Sequence, residues 1–339
     1  EDLHLSMAVN PELAAANEIS RVLLFPETSK VETFMKGRVE LVEFNLRDES
    51  PLTGLSLAEV YQKFQIKILV CAVKRGGQVY IPDGDFVLQK GDKMHIAAAH
   101  QDLETFFRSL GRKNARVKKV LICGGGHVCF YLAALQAGMQ TKIIESRQER
   151  CEQLCEALPK ATIIHGDAAD HDLLMEEGIG EADAVIALTG MDEENIIMSL
   201  FAKTQGVNKI VAKVNEDSRA QMVEGLGIDS IVSAKSATAD AIMSYVRARN
   251  NSYSSANVET MYRLLGGKVE AVEFIIKKEC KFTNVPLKDL PTKANYLIAC
   301  IGRKRKVIIP NGEDHLEVGD SVIVITKDHI INEFSDILA

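Results

Sequence analysis

The feature that most constrains this sequence is an internal duplication, because repeated stretches fold into equivalent structural units. Residues 37–44 (GRVELVEF) match residues 267–274 (GKVEAVEF), and residues 81–92 (IPDGDFVLQKGD) match residues 309–320 (IPNGEDHLEVGD). The offset between the copies is nearly constant. Residues 30–111 and 257–339 are therefore predicted to be two copies of one module.

Each module has short alternating segments, a Pro-x-Gly turn, and a Gly-Asp turn before its last strand. That last strand is predicted at Lys93–Ala98 in the first copy and at residues 321–326 in the second. A helical tail is predicted to follow each strand, at residues 102–109 and 328–338. The pattern predicts two small α+β modules with mostly antiparallel strands.

A glycine cluster lies between the two modules and follows an apolar run. Lys119–Cys123 is predicted to be a buried strand, and Gly124 and Gly126 would form a tight turn that lets the backbone approach a diphosphate. The helix predicted at residues 128–137 would direct its unpaired N–H groups at that anion. Cys129 stands where the third glycine of the motif is expected, a position that serves helix–strand packing.

An acidic residue follows the second strand of this unit. Glu145 lies 21 residues after Gly124, where a carboxylate accepts hydrogen bonds from ribose hydroxyls and repels a 2′-phosphate, so NADP is disfavoured. Strand and helix patterns then alternate, with strands predicted at residues 161–164, 184–188, 209–214 and 231–232. This alternation predicts a doubly wound parallel sheet, the fold class α/β, with ligands bound at the carboxyl ends of its strands.

The duplication also extends towards the N-terminus. Asn10 and Pro11 precede an Ala-rich helical stretch ending at Leu23, which parallels residues 233–247. Residues 1–24 are too short to form a domain alone. We therefore expect the sequence to open with the last helix of a first nucleotide-binding domain whose earlier part is absent.

Composition excludes several classes of function. The formal net charge of -7 argues against nucleic acid as a partner, because neutralising phosphates needs a basic face. No apolar run approaches the roughly 18 residues that span a bilayer, and no signal peptide is visible. The seven cysteines are scattered through apolar patterns, which indicates reduced thiols in a cytoplasmic protein.

Several motifs together resemble one known family. They are the strand, GGG turn and helix, Glu145, residues 166–168 (GDA), residues 187–189 (ALT), residues 192–195 (DEEN) and residues 213–215 (KVN). This combination resembles an RCK (KTN) domain, and the two modules resemble RCK C-terminal domains. Two such pairs in one chain resemble the TrkA-type family of potassium-uptake regulators with tandem RCK domains.

The resemblance implies a domain order and a set of partners. The domains would be a remnant of the first RCK N-domain (1–26), a first C-terminal domain (27–114), a second, nucleotide-binding N-domain (115–250) and a second C-terminal domain (251–339). The chain would be cytoplasmic, peripheral to the inner face of the plasma membrane, and part of a ring-like homo-oligomer. It would bind NAD(H), or alternatively ATP or ADP, and would gate a potassium-translocating membrane protein of the TrkH type.

The resemblance also implies roles for individual residues. Gly124, Gly126 and His127 would lie under the phosphates, Glu145 would hold the ribose, Asp167 and Ala168 would flank the adenine, and Thr189 would sit near the phosphate end. Val128 is also expected among the cofactor-binding residues. The family often has arginine where His127 stands and glycine where Cys129 stands. A neutral imidazole binds a γ-phosphate less well than a fixed guanidinium, which leaves NAD(H) and ADP comparably plausible.

Rival interpretations remain open at this point. An NAD-dependent oxidoreductase would need a proton donor or acceptor beside its substrate, for which His127, His165 and Asp167 are the candidates. A ring subunit with an empty cleft is a third possibility. Residues 192–194 fit a charged helix start better than a metal site, and residues 303–306 a solvated hairpin turn better than a contact with lipid or another subunit. Domain hinges are predicted near residues 27–30 and 250–256.

Overall fold

The computed structural model describes residues 7–46, 50–111, 117–136, 138–223, 226–250, 256–327, 331 and 333–338. The elements of the first part are α1 (Pro11–Leu24), β1 (Thr28–Phe34), β2 (Val39–Asn45), α2 (Leu57–Phe64), β3 (Ile68–Arg75), β4 (Gln78–Tyr80), β5 (Lys93–Ala98) and α3 (His100–Ser109). The next are β6 (Lys119–Cys123), α4 (His127–Leu135), β7 (Gln140–Glu145), α5 (Gln148–Ala157), β8 (Thr162–His165), α6 (His171–Glu176), β9 (Ala184–Ala187), α7 (Asp192–Thr204), β10 (Lys209–Lys213), α8 (Asp217–Val223), β11 (Ser230–Val232) and α9 (Ala234–Asn250). The last are β12 (Ala256–Leu264), β13 (Val269–Ile276), β14 (Tyr296–Arg303), β15 (Lys306–Ile308) and β16 (Ser321–Lys327).

The chain divides into two compact units. The parallel-sheet unit comprises residues 1–30 and 115–239, and the antiparallel-sheet unit comprises residues 31–114 and 240–339. The domain boundaries expected from the sequence stay predictions, and residues 115, 116 and 251 lie outside the described residues.

The parallel-sheet unit contains a six-stranded sheet in the order β11-β10-β9-β6-β7-β8. Every neighbouring pair is parallel. The order reverses at β6, which pairs with both β7 and β9, and this is the strand order of a doubly wound dinucleotide-binding fold. The predicted fold class is therefore confirmed. A topological switch point between β6 and β9 is where such sheets open a crevice.

Helix α1 belongs to the parallel-sheet unit. Asn10 caps it by accepting the Leu13 N–H at 2.9 Å, and Pro11 occupies the first turn, where its missing N–H costs nothing. Its small buried face, which includes Ala15 and Ile19, packs on α4, and the Asn10 side-chain amide donates to the Tyr131 hydroxyl at 3.0 Å. The predicted Ala-rich helix is confirmed.

Within the antiparallel-sheet unit, the two modules have the same topology. Their sheets run in the orders β1-β2-β5-β3-β4 and β12-β13-β16-β14-β15, and the described pairings are antiparallel. The duplicated α+β modules are thus confirmed. One buried cluster contains side chains from both sheets, among them Phe34, Leu41, Ala271 and Ile323, so the two modules share a core.

A paired arginine and aspartate recur in both modules. Arg75 donates to both carboxylate oxygens of Asp92, at 2.7 and 2.6 Å, and Arg303 donates to both oxygens of Asp320, at 3.0 and 2.9 Å. Both aspartates are buried. Residues 303–306 do form a hairpin between β14 and β15, as predicted, but the Arg303 side chain is bound to Asp320 while residues 304–306 are exposed.

The helical tail predicted at residues 328–338 is wrong for the part of it that the structure describes. Residues 328–330 and 332 lie outside the described residues, and a 3₁₀ turn at Phe334–Ile337 leads to a bridge between Leu338 and Thr292. Ile331, Phe334 and Ile337 are buried at a spacing of three, which suits a 3₁₀ turn better than an α-helix. The first module's tail, in contrast, is the α-helix α3.

The predicted hinges differ in what surrounds them. Residues 251–255 lie outside the described residues. Residues 27–30 contain the start of β1, and the Thr28 carbonyl accepts the ammonium of fully buried Lys209 at 2.5 Å. The Lys209 ammonium also donates to the Ser230 hydroxyl, which donates to the Ser29 carbonyl at 2.8 Å. This segment is anchored to the sheet at the first residues of β10 and β11.

Candidate functional site

A cleft opens at the carboxyl ends of the parallel strands, at the switch point. Its volume is about 430 Å³. It is lined by Gly124, Gly125, Gly126, Ile144, Glu145, Ser146, Arg147, Asp167, Ala168, Leu188, Thr189, Gly190, Glu194 and Lys213. Six of the eight residues predicted from the sequence line it together. The exceptions are His127 and Val128.

Gly124 has no room for a side chain. Its φ is +104°, and a Cβ at this position would lie 2.9 Å from the Leu188 carbonyl carbon and oxygen and from the Thr189 nitrogen. The loop after β9 therefore crosses directly over the turn after β6. Gly124 also donates its N–H to the Ile144 carbonyl at 2.8 Å, which ties this turn to β7.

Gly126 is a glycine for a different reason. It is the N-cap of α4, its φ is −66°, and nothing lies within 4 Å of where its Cβ would be. No side chain caps α4, so its first N–H groups face the open space beside Gly126. This is the arrangement in which a helix N-terminus binds a phosphate.

Gly125 is a residue that sequence reasoning missed. Its N–H donates to Glu145 Oε2 at 2.8 Å. A Cβ on Gly125 would lie 2.6 Å from Leu154 Cδ1 and 3.0 Å from the same Glu145 oxygen. The signal was the third consecutive glycine in the cluster, which the two-glycine motif does not require.

Glu145 is held in place by the turn that it faces. It is 6 % exposed, and its Oε1 accepts the Arg147 N–H at 3.0 Å and the Arg147 Nε at 3.1 Å. Burial alone would raise its pKa, but the N–H groups of Arg147 and Gly125 and the Arg147 guanidinium together lower the pKa below its ordinary value. The carboxylate is therefore charged at neutral pH. Of its roughly four acceptor sites, three are used by the protein, which leaves about one for a ribose hydroxyl.

The loop after β8 forms the other side of this end of the cleft. Asp167 is exposed and accepts the Ala169 N–H at 2.9 Å, which fixes the turn, while Ala168 is buried and presents only a methyl group. His165 contacts the Ser146 carbonyl at 3.0 Å through Nε2. Asp167 and Ala168 thus border the cleft beside Glu145.

His127 and Val128 have other positions. His127 is the exposed first residue of α4, and Val128 is buried beneath the helix start. Neither side chain lines the cleft. The predicted contact of His127 with phosphate and the predicted cofactor-binding role of Val128 stay predictions.

The acidic run at the start of α7 holds the loops at the far end of the cleft. Fully buried Asn195 accepts the Thr189 N–H at 2.8 Å and donates to the Thr189 and Lys213 carbonyls at 3.2 and 2.9 Å. Asp192 accepts the N–H groups of Asn215 and Glu216 at 2.9 and 3.1 Å. Burial would raise the pKa of Asp192, but these N–H groups and Arg219 together lower it.

Two cationic side chains stand among the lining residues. Arg147 lies beside Glu145 at the β7 end, and Lys213 ends β10, with its Nζ donating to the Leu188 carbonyl at 3.4 Å. Sequence reasoning quoted Lys213 as part of a motif but gave it no role. Burial lowers the pKa of Lys213, and the negative charges of Asp192 and Glu12 offset only part of this effect, so the pKa stays below its ordinary value.

Two further properties bear on chemistry. Within the described ranges, no group of three or more histidine, cysteine, aspartate or glutamate side chains could hold a metal ion. In the same part of the chain, no helix is both long and apolar enough to cross a membrane. The arrangement as a whole offers a glycine turn, an uncapped helix start and a charged carboxylate around a pocket of ligand size.

Comparison with protein families gives matches across most of the chain. The TrkA-N domain matches residues 120–234, and the TrkA-C domain matches residues 41–111 and 271–339. The Trk system potassium uptake protein TrkA homolog of Archaeoglobus fulgidus is 31 % identical over 337 residues, covering 99 % of this chain and 74 % of that protein. The Trk system potassium uptake protein TrkA of Halomonas elongata is 29 % identical over 97 % of this chain and 71 % of its own length.

Solved structures share the fold. The GsuK RCK domain superposes with a TM-score of 0.55 at 18 % identity, covering 95 % of this chain and 68 % of that chain. The GsuK channel bound to NAD superposes with a TM-score of 0.52 at 17 % identity, covering 94 % of this chain and 56 % of that one. At these identities the likeness concerns the fold.

Proposed function

This chain belongs to the TrkA family of Trk system potassium uptake proteins, and from that premise we propose that it is a nucleotide-sensing regulatory subunit that gates a membrane potassium translocator of the TrkH type. One observation carries the nucleotide part of the proposal. The glycine turn, the uncapped start of α4 and the charged Glu145 surround one cleft at the switch point of the sheet.

The ligand that suits this cleft is an adenine nucleotide, with NAD(H) first and ATP or ADP as the alternatives. The open space at Gly126 admits a diphosphate to the N–H groups of α4. Glu145 has acceptor capacity left for a ribose hydroxyl, and Asp167 and Ala168 border the space for the adenine. The TrkA-N family match and a fold neighbour with bound NAD support this choice.

The regulatory part of the proposal depends on unequal binding of the ligand to two conformational states of the protein. A ligand shifts a conformational equilibrium only by its difference in affinity for the two states. We propose that nucleotide occupancy biases the arrangement of the units in a ring-like homo-oligomer at the inner face of the membrane. The potassium translocator would respond to that bias, and no nucleotide would be consumed.

The nucleotide proposal is tested by calorimetric titration of the purified chain with NADH, NAD⁺, ADP and ATP. We expect at least one nucleotide to bind below millimolar concentration. Glu145→Gln should weaken that affinity about tenfold or more, because hydrogen bonds to a charged group contribute about 1.5–3 kcal/mol. Glu181→Gln is the matched control, since Glu181 is an acid that pairs with Lys119 at the first residue of β6, the opposite edge of the sheet.

The regulatory proposal needs a second measurement. The wild-type chain and Glu145→Gln are expressed with a TrkH-type translocator in cells that lack other potassium uptake, and potassium flux is followed. We expect the variant to change flux and Glu181→Gln to leave it unchanged. Nucleotide binding without an effect on potassium flux would contradict the regulatory role. Substrate-dependent oxidation of NADH by the purified chain would instead support the oxidoreductase interpretation.

A further inference from the structure

Among the residues that the structure describes, the Lys213 ammonium group uses few of its hydrogen-bond donors. It is the last residue of β10 and lines the cleft with Leu188, Thr189 and Glu194. Its Nζ donates to the Leu188 carbonyl at 3.4 Å, which is long for an N–H···O hydrogen bond. An ammonium carries three N–H donors. A partly buried cation with this much unused capacity is stabilised by an acceptor that enters the cleft.

The acids around Lys213 do not neutralise it by direct contact. Asp192 favours the charged lysine through space, but its oxygens already accept two backbone N–H groups and the Arg219 guanidinium at 3.5 Å. Glu12 of α1 also acts through space. Glu194 lines the same end of the cleft and is half-buried, so it opposes Lys213 in its effect on a ligand there.

The position of Lys213 in the sheet identifies the part of a ligand that it meets. A dinucleotide crosses the switch point, with one half over each side of the sheet. Glu145 and Asp167 lie at the ends of β7 and β8, on the side that suits the adenosine half. Lys213 ends β10, two strands from β6 on the other side, where the nicotinamide half of NAD(H) would lie.

We infer that Lys213 makes the cleft prefer NADH over NAD⁺, because the oxidised nicotinamide ring carries a positive charge that the reduced ring lacks. This inference rests on the proposed function and specifies what the site senses. Redox preference is then set by the balance of Lys213, which disfavours the cationic ring, and Glu194, which favours it. Both halves of the ligand keep their other contacts in either redox state.

The expected size of the effect follows from Coulomb's law. Two unit charges about 6 Å apart change an affinity by roughly threefold in bulk water and by roughly a hundredfold at an effective dielectric constant of about 20. Lys213 is partly buried and Glu194 offsets part of its charge. We therefore expect the wild-type chain to bind NADH about five to ten times more tightly than NAD⁺ at low salt.

The test is calorimetric titration of wild-type protein, Lys213→Met, Lys213→Arg, Glu194→Gln and Lys119→Met with NADH and NAD⁺, and of wild-type protein with AMP. Lys213→Met should lower the ratio of NADH affinity to NAD⁺ affinity to one or below, because Glu194 then acts without Lys213, and Lys213→Arg should keep the wild-type preference. Glu194→Gln should raise the ratio. Lys119→Met, the same change at the opposite edge of the sheet, should leave the ratio unchanged.

The outcomes separate this inference from the proposed function. If wild-type protein binds AMP and NADH, but Lys213→Met leaves the ratio of NADH affinity to NAD⁺ affinity unchanged, the inference is overturned and the proposed function stays intact. Failure of wild-type protein to bind any of AMP, NADH, NAD⁺, ADP and ATP would overturn both. If Lys213→Met does not fold, Glu194→Gln decides: an unchanged or lower ratio in that variant contradicts the charge balance.

Discussion

Substitution of two glycines in the same turn should have opposite consequences. Gly124→Ala places a methyl group 2.9 Å from the backbone of Leu188 and Thr189, at a φ of +104° that L-residues rarely adopt. Gly126→Ala places the same methyl group where nothing lies within 4 Å, at a φ of −66° that any residue adopts. The two glycines are only two residues apart in the sequence, yet their surroundings differ in this way.

The magnitudes follow from these contacts. At Gly124, backbone strain costs about 1–3 kcal/mol, and crowding against immobile backbone costs about 1–3 kcal/mol more. The lower entropy of the unfolded alanine chain returns roughly 0.4–1 kcal/mol. Gly124→Ala should therefore destabilise the parallel-sheet unit by about 1–5 kcal/mol, whereas Gly126→Ala should change its free energy of unfolding by no more than about 1 kcal/mol.

Hydrogen exchange measured by mass spectrometry on peptides from residues 119–145 reports the stability of this unit separately from the rest of the chain. Nucleotide affinity is measured on the same proteins. Gly126→Ala should weaken nucleotide binding while keeping its exchange protection, because its methyl group occupies the space for the diphosphate. If Gly124→Ala and Gly126→Ala are equally protected, the close crossing of the loop after β9 is not what requires glycine at position 124.

Three further predictions concern stability. Arg75→Met and Arg303→Met should each cost about 2–4 kcal/mol in urea unfolding because a buried aspartate loses its bidentate partner; a loss below about 0.5 kcal/mol in both would contradict this. The pKa values of Glu145 and Asp192 lie below their ordinary values of 4.5 and 3.8, so the two charged carboxylates stabilise the fold at pH values above about 4.5, and this stability is lost as pH falls through the lower folded pKa values. The thermal midpoint should therefore drop from about pH 4.5 downwards. The drop should be less steep when both residues are replaced by amides. Asn195→Ala should cost about 2–4 kcal/mol and weaken nucleotide binding, measured by denaturation and calorimetry, because it leaves buried backbone groups unpaired; wild-type stability in this variant would show that the loop after β9 does not need its anchor.

The sequence alone was sufficient for the parallel sheet and for the part of the cleft that depends on local spacing. Buried parallel strands appear as continuous apolar runs, so β6 and β9 were recognisable without tertiary information. Gly124 and Glu145 belong to one βαβ unit, in which chain geometry fixes their separation. The duplicated modules were also predictable, because both copies carry the same turn residues.

The remaining features depend on residues that are distant in sequence. Gly125 is required by the Leu154 side chain, and Asn195 is required by carbonyl groups on two different loops. Lys213 becomes a cleft residue because β10 lies next to β9. The tail at residues 328–338 was misassigned because a spacing of three among buried residues fits one face of an α-helix nearly as well as a 3₁₀ turn.

Strand β10 has a different partner at each of its termini. Lys213 lines the pocket, whereas Lys209, four residues earlier, donates a hydrogen bond to the carbonyl of Thr28. An extended strand rises about 3.3 Å per residue, so the backbone positions of these two lysines lie roughly 13 Å apart along β10. Strand β10 therefore supports both a cleft side chain at its carboxyl end and the first residue of β1 at its amino end.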